Sequence, residues 1–498
     1  MDRRLFLAGA ATLVCAPVTL RAQPAAPTLL DAARALARRP YVALDATLPP
    51  PFAGLSYDAY RGIRPLPGRG SLLPLGDAFA VDLLPPGLFF PHPVAVELPE
   101  GGGFAPVPFA PDLFDFDPRY FGAIPDTAPG AGFSGLRLRH PLNDPDSLDE
   151  VLVVQGASYF RAIGQAMVYG LSARAVALGT GSPAPEEFPR FTRVRLHPPA
   201  GGTVRLEAVI DSPSLAGHLD MVLRPGADTE MELAVTILPR REIADIGIAP
   251  LTSMFFKGEM HAAVADDFRP RVHDSDLLLI ENGAGERLWR PLANPALTQT
   301  SAFVDDGPVR FGLWQTPRRF AEFEDSEARY QDRPSAQVEP QGDWGRGAVV
   351  LVEIPTGDEF MDNIVAFWRP EAALEAGSEH RFAYRLIWTR AEPATAAALP
   401  IRQSLSGREH DGRRRRYVID FDGLAEGLEP DLSASDGADL TGLSRFALPE
   451  GQGTRVTFLL DPGAGDAVDL RLVLRRPDGA PASPVWIARW SRARDGGV

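Results

Sequence analysis

The chain has 498 residues, which is too long for one ordinary hydrophobic core and predicts more than one domain. It carries 50 basic and 65 acidic side chains, a formal net charge of −15. This balance excludes nucleic acid as an expected partner, because phosphate binding depends on clustered Lys and Arg. It is compatible with a neutral ligand such as a sugar. Gly (47) and Pro (49) are spread along the chain, which is typical of many short strands separated by turns.

The first 22 residues have the pattern of an export signal. Arg3 and Arg4 precede a short apolar stretch, and the small residue Ala22 ends it. The arginine pair favours a twin-arginine signal, a bacterial export route for folded proteins, and an ordinary secretory signal is the alternative. We expect residues 1–22 to be removed and the mature protein to lie in the periplasm. The only cysteine, Cys15, is then lost with the signal.

After the signal, one helical pattern is followed mostly by strand patterns. LLDAARALARRPY (29–41) has apolar residues at helical spacing and predicts a short helix. Later runs alternate apolar and polar residues, as in TVRLEAVI (203–210), which is typical of antiparallel strands with one wet face. These runs predict that residues 23–395 form a large antiparallel β-sandwich. No run approaches the ~18 apolar residues of a membrane-spanning helix, so stable membrane insertion is not expected.

The composition changes between residues 390 and 402, where AEPATAAALPIR has no strand pattern and is typical of a linker. Short strands with turn signals follow it and predict a small immunoglobulin-like sandwich at residues 396–498. The basic run 413–416 lies at the start of this part. It is either a site for an anionic group or a solvated loop.

Several chemistries have no motif in this sequence. There is no HExxH or HxH pair, no GxSxG turn, no phosphate-binding glycine loop and no dinucleotide fingerprint. We therefore expect no metal and no cofactor. The plentiful carboxylates remain as candidates for acid and base chemistry.

Acidic side chains stand just before two apolar strand patterns. They are Asp358, Glu359 and Asp362 before the run at 364–368, and Asp274 and Asp276 before the run at 277–280. Hydrolysis of a glycosidic bond needs two carboxyl groups, one protonated and one ionised. Partial burial beside apolar groups raises the first pKa, while a polar setting keeps the second low. The alternative is that these acids form turns or caps.

Aromatic and arginine side chains are candidate sugar ligands, because sugar rings stack on aromatic faces and their hydroxyls accept hydrogen bonds from arginine. The candidates are Tyr159, Arg161, Trp289, Arg290 and Trp344. The alternative for the aromatic residues is an ordinary place in the core.

Long stretches of the chain resemble the periplasmic glucan biosynthesis family, proteins G and D, of Gram-negative bacteria. The matching stretches are GASYFRAIG (156–164), VYGLSARAVAL (168–178), HDSD (273–276), WRPLANP (289–295), FEDSEARYQDRPS (323–335), WGRGAVVLVEIPTGDE (344–359) and DNIVAFW (362–368). The twin-arginine leader is similar to that of the protein D branch. The resemblance implies a galactose mutarotase-like β-sandwich, an immunoglobulin-like C-terminal domain and a role in osmoregulated periplasmic glucan biosynthesis.

The resemblance also implies a reaction. Some relatives look like inverting endo-β-1,2-glucanases of glycoside hydrolase family 186. On that pattern Asp362 is the general acid and Asp274 the general base, acting through a water relay. Tyr330 and Glu359 match further residues near the site.

One region departs from the family pattern: the segment between the domains, 399–418, is short. A less shielded site favours transglycosylation over hydrolysis. It also leaves open a non-catalytic glucan-binding or assembly factor, and whether a homodimer forms. A carbohydrate mutarotase is a third alternative, but it calls for a His/Glu pair that has no clear match here.

Overall fold

The computed structural model describes residues 28–261, 266–391, 399–435 and 437–496. The predicted signal at 1–22 lies outside these ranges, and so does the predicted domain boundary at 395/396. The described chain is mainly β, with antiparallel sheets, as the alternating runs predicted. Within the described ranges, none of the helices is long and apolar enough to span a membrane.

The described residues include three short α-helices: α1 (Leu29–Ala37), α2 (Tyr57–Arg61) and α3 (Arg492–Asp495). The predicted first helix is confirmed. It begins with a capping box in which the Thr28 hydroxyl accepts from the Asp31 N–H and the Asp31 carboxylate accepts from the Thr28 N–H. The helix ends before residue 41 because the residue before a proline, here Arg39 before Pro40, disfavours helical backbone.

The strands follow in chain order. The first eighteen are β1 (Ile63–Pro65), β2 (Leu73–Gly76), β3 (Phe79–Leu84), β4 (Ala95–Glu100), β5 (Gly103–Pro106), β6 (Phe114–Phe116), β7 (Gly135–His140), β8 (Asp149–Gln155), β9 (Tyr159–Ala162), β10 (Ser172–Arg174), β11 (Val176–Leu178), β12 (Arg190–Leu196), β13 (Val204–Asp211), β14 (Leu215–Arg224), β15 (Thr229–Pro239), β16 (Ile246–Ser253), β17 (Phe255–Lys257) and β18 (Val272–His273). The remainder are β19 (Leu277–Glu281), β20 (Arg287–Pro291), β21 (Gln299–Asp305), β22 (Arg310–Trp314), β23 (Ser335–Gln341), β24 (Gly347–Glu353), β25 (Ile364–Pro370), β26 (His380–Thr389), β27 (Ile401–Arg408), β28 (Arg415–Phe421), β29 (Glu429–Ala434), β30 (Asp439–Ala447), β31 (Thr454–Asp461), β32 (Ala467–Arg475) and β33 (Val485–Ser491).

Two large sheets dominate the described chain. The first has the order β2-β3-β7-β8-β9-β10-β16-β25-β24-β21, with β11 also paired to β16. The second has the order β29-β32-β33-β20-β19-β22-β23-β26-β15-β14-β13-β12-β4-β5. Among the described pairings only β4–β12 and β20–β33 are parallel. Apolar residues of both sheets form one large buried cluster between them, as expected for a sandwich.

The C-terminal strands divide between two sheets. β27, β28, β31 and β30 form a separate four-stranded sheet. β29, β32 and β33 instead extend the second large sheet, because β33 pairs with β20 with Leu288 opposite Val485 and Trp289 opposite Trp486. The two parts of the chain thus share a sheet as well as a small apolar cluster that includes Trp289, Trp314 and Trp486.

Candidate active site

The candidate site lies on one face of the first sheet, over β7, β8 and β9. Alternate residues of these strands are buried in the core: Leu136, Leu138, Leu152, Val154, Phe160 and Ala162. The intervening residues are in register on the opposite face. Arg137 pairs with Val153, Val153 with Arg161, and Gln155 with Tyr159. Because side chains alternate along a strand, these five side chains form one continuous surface.

This surface is the floor of a cavity of about 950 Å³, at the upper end of the range for ligand pockets, ~300–1,000 Å³. Seven aromatic residues, four arginines and two carboxylates line it. The lining therefore carries an excess of positive charge in a protein whose net charge is −15. Aromatic faces and guanidinium donors together suit a ligand with apolar ring faces and many oxygen atoms.

Asp362 lines this cavity at the end of the loop between β24 and β25. Its side chain is 34% exposed, and its Oδ2 lies 3.5 Å from Nη2 of Arg161 on β9. The sequence predicted an apolar neighbourhood for this acid. The structure places it in a more polar one, because the apolar residues 364–368 that follow are turned into the core.

Asn363 fixes the end of the loop that carries Asp362. Its side chain is fully buried, and its Nδ2 donates to the carbonyl oxygens of Phe255 and Ile354, each at 3.0 Å. Its Oδ1 accepts from the N–H of Phe255 at 2.8 Å. Every polar atom of this side chain is thus bonded to backbone, so the position of the neighbouring Asp362 is set by buried hydrogen bonds.

Asp274 follows β18 and is 4% exposed. Its carboxylate forms an ion pair with Arg333, and its N–H donates to the Met254 carbonyl at 2.8 Å. Burial raises the pKa of the Asp274 carboxyl; the Arg333 guanidinium opposes this shift, and the negative charge of Asp362 adds to it. The Asp274 carboxyl is therefore close enough to sense the charge of Asp362, although of these two described acids only Asp362 lines the cavity.

Tyr330 belongs to the same group of residues. It is buried, and the Arg333 guanidinium lies 4.4 Å from the centre of its ring. Burial raises the pKa of its hydroxyl. The Gln315 side chain holds this turn against the Asp274 segment, because its Nε2 donates to the carbonyl oxygens of Tyr330 at 2.9 Å and of His273 at 2.7 Å.

Glu359 is held by a separate ion-pair network. Its Oε2 lies 2.6 Å from Nη2 of Arg269, which also contacts Asp267 and Asp325. Hydrogen bonds to Asp267, and then those to Glu359 and Asp325, raise the pKa of Arg269. The network joins the Asp362 loop to two other loops. Glu359 therefore supports the position of that loop.

Three predicted sugar ligands lie elsewhere. Trp344 is 6% exposed, packs against Phe382 and Tyr384, and donates its Nε1–H to a backbone carbonyl at 3.1 Å. Trp289 lines a different cavity of about 830 Å³ beside the C-terminal strands. Arg290 is 2% exposed and forms an ion pair with a buried glutamate. The structure brings together Asp362, Asp274, Tyr330, Glu359, Tyr159 and Arg161 and leaves these three apart.

Sequence reasoning missed two residues that organise the site. Arg333 was visible in the stretch FEDSEARYQDRPS, as an arginine close to the tyrosine singled out there. Arg174 stood in the stretch VYGLSARAVAL, but nothing in that stretch singled it out. It is 2% exposed, and its guanidinium lies 5.2 Å from the Tyr159 ring and 5.7 Å from the Phe188 ring. By stacking on both rings, Arg174 holds two aromatic residues of the cavity in place.

Two further predictions concern charged groups. Within the described ranges, no group of three or more His, Asp or Glu side chains is placed to hold a metal ion. The basic run 413–416 is engaged locally. Arg413, Arg414 and Arg416 each form an ion pair with a nearby acid, and Arg415 donates to the Ser406 hydroxyl. This arrangement favours the solvated-loop alternative.

Comparisons with known proteins give one consistent family. The family model described as "Periplasmic glucan biosynthesis protein, MdoG" matches residues 25–490. "Glucans biosynthesis protein G" of Vibrio cholerae is 42% identical over 474 residues, covering 93% of this chain and 86% of the relative. The protein of that name from Shewanella frigidimarina is 40% identical over 473 residues, with 93% and 84% covered. "Glucans biosynthesis protein G 1" of Shewanella oneidensis is 38% identical over 474 residues, with 93% and 86% covered.

Proposed function

The chain belongs to the MdoG family of periplasmic glucan biosynthesis proteins, and on that basis we propose that it cleaves or transfers a β-1,2-linked glucan backbone with inversion at the anomeric carbon. Its location is the periplasm, in agreement with the leader. The observation that carries the proposal is a pair of neighbouring acids: Asp362 lines the cavity, and Asp274 is buried within reach of its charge. The closer likeness to protein D, assignment to glycoside hydrolase family 186 and a homodimer stay predictions.

Asp362 is the general acid of the proposed reaction. It faces the cavity, so its carboxyl can reach the oxygen of a glycosidic bond bound there. A sugar chain in the cavity covers the 34% of the side chain that is exposed and excludes water from it. Arg161, 3.5 Å away, is placed to donate to a neighbouring sugar hydroxyl or to hold the carboxylate after proton transfer.

Asp274 is the general base. The Arg333 ion pair favours the ionised carboxylate that a base requires, against the effect of burial. Because Asp274 is 4% exposed and does not line the cavity, its carboxylate reaches the attacking water through at least one intervening hydroxyl or water. Such a relay suits an inverting reaction, in which the base and acid stand on opposite faces of the sugar.

The sugar next to Asp362 has aromatic partners. Tyr159 lies on the floor beside Arg161 and is held by the Arg174 guanidinium. Phe360 and Met361, just before Asp362, are 88% and 42% exposed and offer apolar surface to the same sugar. We assign this glucan-processing site to the domain at 23–395 and regard 396–498 as an immunoglobulin-like domain.

A non-catalytic glucan-binding or assembly factor is the second candidate. One observation favours it: the buried Asp274 is already paired with Arg333, and a buried ion pair of this kind can have a purely structural role. The binding cavity in that case serves only to hold the polymer.

The deciding experiment compares the mature protein, residues 23–498, with Asp362→Asn and Asp274→Asn on linear β-1,2-glucan. Products are followed by chromatography, and the anomer first formed is followed by NMR. Loss of general acid catalysis lowers turnover by about 10²–10⁴-fold for Asp362→Asn while binding is retained. β-1,3- and β-1,6-glucans are the linkage controls.

Two results contradict the catalytic proposal. Wild-type protein that binds the glucan but releases no shorter or rearranged product supports the binding factor. Product with a retained anomer contradicts the inverting assignment, since retention requires a covalent intermediate.

A further inference from the structure

The cavity beside Asp362 extends well beyond the reach of one sugar. Its lining runs from Leu84 and Pro85 at the end of β3, across β7 and β8, to β9. β3 and β9 are three strand spacings apart, about 14 Å at ~4.8 Å for each spacing. A pyranose ring in a glucan is about as long as one strand spacing. The cavity is therefore long enough for several consecutive sugar units.

One end of this cavity is built by residues 57–90, which include α2, β1 and the turn after β3. Phe90 in that turn lies against Gly156, just after β8. Tyr60 anchors this segment: its hydroxyl donates to the Pro85 carbonyl at 3.1 Å and accepts from Gln155 Nε2 at 3.2 Å. The Phe90 ring lies 6.3 Å from the Tyr60 ring. Hydrogen bonds and packing thus hold two aromatic residues at the rim of the floor.

The turn after β3 presents Phe89 to solvent. Gly87 has φ +141°, and a Cβ there would lie 2.9 Å from both Leu55 and Tyr60, so only glycine fits this turn. Phe89 is 87% exposed although it lines the cavity. Because this ring lines a cavity and leaves one face open, it can stack on a ligand that occupies the cavity.

Two arginines complete this end of the cavity. Arg61 and Arg64 line it and form no ion pair with any other described residue, although Arg61 lies 5.7 Å from the Tyr57 ring. By contrast, Arg137 and Arg161 on the floor of the cavity each contact an acid. The N–H groups of the first two arginines are free to donate to ligand oxygens.

We propose that residues 57–90 form a distal sugar subsite, in which Phe89 stacks on a glucose ring and Arg61 and Arg64 bind hydroxyls of a sugar beyond the one at Asp362. The inference rests on the proposed function of the Asp362 cavity. It makes binding depend on chain length: oligosaccharides that reach from Asp362 to Phe89 gain affinity, and shorter ones do not.

The test measures the affinity of β-1,2-gluco-oligosaccharides of increasing length for the Asp362→Asn protein, which is not expected to consume them. The same measurement is made after adding Phe89→Ala, Phe89→Tyr or Phe446→Ala. Phe446 is a matched control, since it is an exposed phenylalanine, 54% exposed, on β30 in the C-terminal part. A melting curve for each variant checks the fold.

Phe89→Ala is expected to weaken binding of long chains roughly 3- to 10-fold, the worth of one aromatic contact, and to leave short chains unchanged. Phe89→Tyr and Phe446→Ala keep the parental length dependence. Equal affinities of Phe89→Ala and its parent at every length, or an equal loss at every length, overturn the distal subsite. Failure of the parent and of the wild-type protein to bind any β-1,2-glucan instead overturns the proposed function.

Discussion

Asp274 and Arg333 form an ion pair in which the acid is nearly inaccessible and the guanidinium is also stacked on the Tyr330 ring. The two residues come from separate loops, one after β18 and one before β23. Two opposed effects therefore meet at one carboxyl. Burial raises the pKa of Asp274, and the adjacent cation holds it down.

Arg333→Gln removes the cation and leaves burial unopposed, so the pKa of Asp274 rises further. A general base works only when ionised, so the acid-side limb of the kcat/KM profile moves to higher pH, by roughly 1 to 3 pH units. The measurement is kcat/KM against pH, with the Asp274 carboxyl followed by NMR. Arg329→Gln, on the same turn but paired with Asp332, is the control. An unmoved limb and an unmoved Asp274 titration count against Asp274 as the base.

Asn363→Ala should loosen the loop that carries Asp362. The change removes three buried hydrogen bonds and leaves backbone groups of Phe255 and Ile354 without a partner. The expected cost is about 2–4 kcal/mol in the free energy of unfolding. At a temperature where the variant is folded, kcat falls more than KM changes, because the acid is misplaced while the sugar contacts remain.

Chemical denaturation and steady-state kinetics check this result. Asn282→Ala is the control, because that side chain accepts a single hydrogen bond, from the Glu286 N–H, in a turn between β19 and β20. An Asn363→Ala protein with unchanged kcat shows that Asp362 does not need this anchor.

Arg290→Ala tests whether this predicted sugar ligand has a structural role. Arg290 Nη2 lies 3.0 Å from Oε2 of Glu353, whose side chain is fully buried. Removing the arginine leaves an unpaired buried charge, which costs about 3–5 kcal/mol of stability. The double variant Arg290→Met/Glu353→Leu should recover most of that loss. Glucan affinity of the folded fraction, measured by calorimetry, stays at the wild-type value; a selective loss of affinity without a loss of stability restores Arg290 as a ligand.

The sequence predicted the strands and several site residues, but not which of them meet. Alternation in TVRLEAVI placed a strand where β13 lies, since it depends only on neighbouring residues. The contact between Arg161 and Asp362 joins positions 201 residues apart. It depends on the order of β9, β10, β16 and β25 in the sheet, which local patterns do not encode. The burial of Trp344 away from the cavity could not be predicted for a similar reason, because a strand pattern does not say which face is covered.

Asp276 should make stability depend on pH in the opposite sense to an ordinary ion-paired acid. It is partly buried, and its two carboxylate oxygens accept from the N–H and hydroxyl of Thr316 at 2.8 and 2.9 Å. Burial raises its pKa from 3.8 to about 7, despite these hydrogen bonds. The folded protein thus keeps a proton up to about pH 7, whereas the unfolded chain loses it near pH 4. Stability from this group is present below pH 4 and is lost as pH rises to about 7.

Asp276→Asn removes that titration. As pH rises from 5 to 7.5, the melting temperature of the variant should therefore increase relative to that of the wild type. Asp267→Asn is the control with the opposite shift: hydrogen bonds from Arg269 lower the Asp267 pKa to about 2. The stability that Asp267 contributes is complete above pH 4. The melting temperature of Asp267→Asn should therefore differ from that of the wild type by a constant amount over the same pH range. The opposite result is that the melting temperatures of Asp276→Asn and wild type change equally with pH. It would show that Asp276 is ionised throughout, and that water in the adjoining cavity solvates its charge.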